Sequence, residues 1–161
     1  FLPLNNKINN LHVNRVIGSG SLINRKVFER VGLLRSDFFI DYVDFEFCLR
    51  VTLNNFKIYL ENNTQLIHQQ GNKSVHSFGP FKITTHNYSA SRRYYIFRNR
   101  LFFIRLYLKY YPNILIHEIS ASFFDIFRII CFERDKINKF RQICKGILSG
   151  ISKKIPDFEK L

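Results

Sequence analysis

The chain has 161 residues, enough for one ordinary domain or a piece of a larger one. Hydrophobic residues make up 46% and aromatics 16%, which is enough for a packed core; the three scattered cysteines, Cys48, Cys131 and Cys144, argue against a zinc cluster and against a disulfide framework. The formal net charge of +13 calls for an anionic partner such as nucleic acid, anionic lipid or a phosphorylated substrate.

Ten Lys/Arg face six Asp/Glu through residue 91, and fifteen face six after it, so the excess sits in the second half. The chain starts at Phe1 and contains no Met, which reads as a segment of a longer protein. Free or buried thiols fit a reducing cytoplasm.

Phe1 to Asn14 is polar and Asn-rich and reads as a loop. Val16 to Ile23 reads as a short strand broken by Gly18, Ser19, Gly20 and Ser21; glycine there marks either a close backbone approach or a plain tight turn. Asn24 is placed to cap a helix that runs to Val31 and stops at Gly32. A second helix is expected from Val43 to the Asn54-Asn55 pair, because Val43, Phe47 and Val51 recur every four residues. Phe56–Leu60 and Thr64–His68 alternate as short strands, and residues 69–82 read as a loop. A long basic and aromatic helix opens near Tyr88 and must end before Pro112. A second helix is expected over Asn113–Phe132, with Glu118, Ser122 and Asp125 as its polar stripe. A third starts near Asp135, with Ile137, Phe140, Cys144, Ile147, Leu148 and Ile151 on one face and Lys136, Lys139, Arg141, Gln142 and Lys145 off it.

The most informative stretch runs from Phe38 to Arg50, where Asp41, Asp44 and Glu46 lie among aromatics. A helix mouth favours carboxylates, so Asp41 and Asp44 read as caps. Three residues apart on a helix, they also share a face and can point into one cleft as a general base and a helper, with Glu46 directed elsewhere.

Taken in order, Gly18-Ser19-Gly20-Ser21, Gly32, Asp41-x-x-Asp44-x-Glu46-x-Cys48-x-Arg50 and His68-x-x-Gly71 resemble the C-terminal half of the catalytic domain of family-two glycosyltransferases, most of all the rhamnosyltransferase group. Arg92-Arg93-Tyr94-Tyr95-Ile96-Phe97-Arg98-Asn99 is similar to that group's segment after the catalytic residues. The resemblance covers about Val16 to Phe103.

It implies an α/β fold: the C-terminal half of a GT-A, Rossmann-like catalytic domain over residues 1–86, followed by a basic amphipathic helical tail over 87–161. It implies Asp44 as the base that deprotonates an acceptor hydroxyl. Val43-Asp44 stands where many relatives have Glu-Asp, which leaves Asp41 to share the work. Gly18, Ser19, Gly20, Ser21, Glu46 and Arg50 become substrate-binding candidates and His68 a metal ligand. The implied cofactor is a divalent cation, Mn or Mg, shared with an N-terminal half. That half normally carries an Asp-x-Asp motif, and none occurs here. The implied reaction is inverting transfer of a sugar, with rhamnose from dTDP-rhamnose as the donor candidate, to a saccharide or lipid-linked saccharide in surface-polysaccharide synthesis. The site of action would be the cytoplasmic face of the plasma membrane, against anionic lipid. A non-catalytic, membrane-binding remnant is the alternative. Charge and aromatics also raise nucleic-acid binding, which no motif supports.

Overall fold

A computed structural model describes residues 11–61, 64–67 and 73–155. The described residues fall into two compact units, one from 11–39, 43–61 and 64–67, the other from 40–42 and 73–155.

In the first unit, β1 (Leu11–Val13) pairs antiparallel with β2 (Ile58–Leu60), Val13 opposite Ile58. β1 falls where the Asn-rich segment reads as loop. Residues 14–24, expected to hold a short strand, carry only bends and a turn. Helix α1 (Arg25–Val31) starts as its sequence dictates: the Asn24 side chain accepts from the Lys26 N–H at 3.0 Å. It ends at Gly32, whose φ of 79° a side chain would resist. A 3-10 turn, Ser36–Phe38, precedes helix α2 (Val43–Leu53). The two helices meet through Val31, Phe47 and Val51, with Ile23, Val27, Phe28, Phe56 and Ile58 packed around them. Residues 64–67 form no strand.

In the second unit, residues 74–85 form a hairpin rather than the expected loop. Strands β3 (Ser74–Phe78) and β4 (Phe81–Thr85) turn at Gly79-Pro80, with Gly79 at φ 57°. Helices α3 (Ala90–Tyr107), α4 (Asn113–Phe132) and α5 (Lys136–Ser152) follow. Ile96, Phe97, Ile129 and Ile143 form their core. Both described sheets are two-stranded and antiparallel, so the GT-A expectation rests on the resemblance.

Helix α5 packs on α3 through small residues: a Cβ on Gly146 would stand 2.4 Å from the Tyr94 carbonyl oxygen, and one on Gly150 would stand 3.1 Å from that of Arg98. The expected apolar face of α5 is therefore displaced. Ile143, Gly146 and Gly150 face inward, Phe140 and Ile147 of the expected face pack against the core, and Ile137, Leu148 and Ile151 are exposed. Lys139, expected on the polar side, is buried and ion-paired to Glu133 at 2.9 Å. Arg93 and Arg98 of the basic helix are buried as well. Arg93 pairs with Glu133 at 2.6 Å, and Arg98 donates to Asn99 Oδ1.

Candidate active site

In the first unit, the Gly18–Ser21 segment and the start of α2 come together. The Ser21 N–H donates to the Gly18 carbonyl at 3.1 Å, closing a four-residue turn whose third residue, Gly20, has φ 76°. That is the position at which such turns call for glycine. The Ser21 hydroxyl donates to the Ile17 carbonyl at 2.8 Å. Just before the turn, the Cys48 thiol of α2 reaches the Val16 carbonyl at 3.7 Å, and Arg15 lies over the Phe45 ring at 4.7 Å. Burial pushes the Cys48 thiol up, so it stays a protonated donor to this loop.

The turn leads to Asp44. A Cβ on Gly18 would lie 2.7 Å from Asp44 Oδ1. Glycine at 18 thus makes room for the carboxylate, while the segment itself is the plain tight turn that the Gly-Ser pattern allowed. Asp44 occupies the first turn of α2, a position where acidic residues are common. Among the described residues, no ion pair or hydrogen bond occupies its carboxylate. A half-buried, unoccupied carboxylate facing a glycine turn is able to accept a proton from a hydroxyl brought against it.

Asp41 differs. It is not helical: its φ is 57°, and Phe39 and Tyr42 also have positive φ. The shared helical face expected for Asp41 and Asp44 therefore does not form, because the three-residue spacing places two side chains together only within a helix. Asp41 belongs to the second unit, where both of its oxygens accept from Arg92, at 2.8 and 3.0 Å. Its neighbours are held there too. Asn99 Nδ2 donates to the Ile40 carbonyl at 2.6 Å and more weakly to that of Asp41. The Tyr42 hydroxyl donates to Glu118 and accepts from Arg100 Nε at 2.9 Å. Burial pushes the Tyr42 phenol well above its ordinary range. Residues of α3 and α4 thus fix a backbone segment that non-glycine residues rarely adopt.

Glu46 and Arg50, expected among the substrate-binding residues, are paired with each other. Glu46 is 1% exposed, and its two oxygens accept from Arg50 at 2.8 and 3.0 Å. The same guanidinium donates to the Val31 and Leu33 carbonyls, which closes the end of α1 onto α2. His68 and Gly71 lie outside the described residues. Among the described residues, no three His, Cys, Asp or Glu side chains converge as a metal site.

Sequence reasoning did not assign roles to Arg92, Asn99 or Arg100 toward Asp41 and its neighbours. The one available signal was that two segments of one family pattern, 38–50 and 92–99, stand far apart in the chain.

Comparison with known proteins then gives a class. Over most of its length the chain is similar to a curated sugar transferase, which supports a rhamnosyltransferase-like glycosyltransferase. That relative is dTDP-rhamnosyl transferase RfbF of Shigella flexneri, 35% identical over 136 residues, or 84% of this chain and 44% of the relative. The chain spans less than half the length of that protein. No family model and no solved structure matches the chain.

Proposed function

We propose that this chain carries the acceptor side of an inverting glycosyltransferase that moves rhamnose from dTDP-rhamnose to a saccharide hydroxyl. The observation that carries the reading is Asp44: a carboxylate against the Gly18–Ser21 turn with no ion pair or hydrogen bond among the described residues, in a chain similar to a named dTDP-rhamnosyl transferase. Asp44 takes the acceptor proton as the hydroxyl oxygen attacks the anomeric carbon from the side opposite the leaving group. The bond from that carbon to the diphosphate oxygen breaks, dTDP departs, and the anomeric configuration inverts. Gly18 keeps the carboxylate in reach, and the exposed turn offers its backbone and Ser19 to the acceptor.

The resemblance would place the chain in the second half of a GT-A domain of the family-two enzymes. A divalent cation in such a site would offset the charge of the departing diphosphate. His68 is the ligand this chain would contribute, and the remaining ligands and the nucleotide pocket would come from outside these residues. A lipid-linked saccharide is the acceptor class in this reading, with the protein at the cytoplasmic face of the membrane.

A chimera tests it. This chain replaces the matched region of the Shigella relative, and transfer from labelled dTDP-rhamnose is followed with membrane extract as the acceptor source. The reading expects transfer by the chimera and none by the 161-residue chain alone. A folded chimera that transfers nothing would favour the non-catalytic alternative.

A further inference from the structure

Helix α4 buries charge as well as apolar surface. Glu118, Ser122 and Asp125 form its polar stripe, as the sequence predicts, but that stripe faces inward. Glu118 is 4% exposed. Arg100 of α3 binds Glu118 at 3.2 Å, Asp125 at 2.9 Å and the Ser122 hydroxyl at 2.7 Å, and Arg93 reaches Asp125 at 3.4 Å. The buried arginines need acids, so they draw the polar side of α4 onto α3. Ile126 and Ile129 join the core beside that stripe, and a second apolar face is left outside. Ile116, Ile119, Phe123 and Ile130 follow one another at steps of three, four and seven residues, which places them on one helix face. Their exposures are 72%, 59%, 67% and 51%. Phe124, at the edge of that face, is 54% exposed. From Ile116 to Ile130 the stripe is about 21 Å long at the usual helical rise.

Charge selects the occupant. The acids described in this unit are used internally: Asp41 by Arg92, Glu118 by Arg100, Asp125 by Arg93 and Arg100, and Glu133 by Arg93 and Lys139. Asp135 alone among them is exposed and outside an ion pair. Lys109, Arg134, Arg141 and Lys145, by contrast, are exposed. An apolar stripe on a surface stripped of negative charge is complementary to a bilayer with anionic headgroups, which attract Lys and Arg while the acyl boundary takes the apolar side chains. No described helix is long and apolar enough to cross a membrane, so the stripe suits insertion along the interface.

We propose that the outer face of α4, centred on Ile119 and Phe123, docks the protein onto an anionic bilayer surface. The proposal deepens the membrane-face part of the proposed function by naming the surface. It narrows the sequence expectation of a basic amphipathic tail against anionic lipid to the apolar stripe of one helix.

The test is flotation of the 161-residue chain with phosphatidylcholine vesicles, with and without phosphatidylglycerol. Binding to the anionic vesicles should weaken with salt yet persist in part, because the apolar contribution is not screened. Ile119→Glu/Phe123→Glu should lower partition at least about tenfold. Both sites are exposed, so the thermal melt should hold. A polarity-sensitive dye on Ser120→Cys, in a Cys131→Ser/Cys144→Ser background, should shift blue on the vesicles and provides a second measurement if the double variant misfolds. Failure of the unaltered chain to float, equal flotation of the folded variant, or a dye spectrum unmoved by vesicles would each overturn the proposal. So would a dimer that the double variant splits while vesicles bind neither form, since a second copy would then cover the stripe. Flotation requires no sugar transfer, so its failure leaves the transferase reading intact, and an inactive chimera leaves this one intact.

Discussion

Arg92 grips Asp41 with two hydrogen bonds, of 2.8 and 3.0 Å, across 51 residues of sequence. The pair joins the acidic stretch before α2 to the first turn of α3, and it holds Asp41 at φ 57°. Both partners are partly exposed, so the pair itself contributes about 1 kcal/mol or less.

A left-handed backbone costs a non-glycine residue about 1–2 kcal/mol. Removing the grip should expose that cost. Arg92→Met is expected to destabilise the chain by about 1 kcal/mol. Adding Asp41→Gly to Arg92→Met should then restore part of the loss, since glycine accepts the conformation. Denaturant melts of the four members of the cycle check this; a double variant less stable than Arg92→Met would mean that the backbone at 41 is not strained.

Gly18→Ala should separate folding from chemistry. The new methyl meets a flexible side-chain end, Asp44 Oδ1, at 2.7 Å. The carboxylate should swing aside at a stability cost below about 1 kcal/mol. In the active chimera, turnover should fall at least about tenfold, because displacement of a catalytic group by an ångström is costly. Thermal melt and kcat, measured on the same preparation, decide it.

Glu46→Ala should act on stability first. It removes the Glu46 carboxylate from the Arg50 guanidinium, which is 12% exposed. Breaking such a buried pair costs about 3–5 kcal/mol. A loss of substrate affinity with an unchanged melt would instead restore the substrate-binding role that the resemblance implies for Glu46 and Arg50.

Gly146→Ala should loosen α5 from α3. Here the obstacle is backbone, the Tyr94 carbonyl at 2.4 Å, which cannot rotate away. Overpacking of this kind costs about 1–3 kcal/mol. The check is a denaturant melt, with hydrogen exchange of the α5 amides as the local readout.

Local signals were legible where they act locally. Asn24 and Gly32 bound α1 because capping and left-handed geometry depend on single residues. Pro112 separates α3 from α4, and the period of Val43, Phe47 and Val51 marks α2. Which side of a helix faces inward was not legible in α4 or α5. Hydrophobic periodicity finds an apolar stripe, but in α4 the acids that pair with Arg93 and Arg100 leave one such face outside, and in α5 Gly146 and Gly150 select the packed side. The β3–β4 hairpin was masked by the density of polar residues and turn formers around Gly79-Pro80. At the site, the Gly18–Ser21 turn follows the Gly-Ser pattern. The Asp41–Arg92 pairing could not be read from spacing, since a three-residue interval has meaning only on a helix that has already begun.

The proposed transfer turns on Asp44 as the base. Asp44→Asn keeps the size of the side chain and removes its capacity to take a proton. The direct measurement is kcat per folded molecule for this variant in the active chimera, with the folded fraction taken from a thermal melt. A fall of about 10²–10⁴-fold is expected, with donor affinity little changed. Near-normal turnover, accompanied only by a stability loss of about 1 kcal/mol, would contradict it and leave Asp44 as a helix cap.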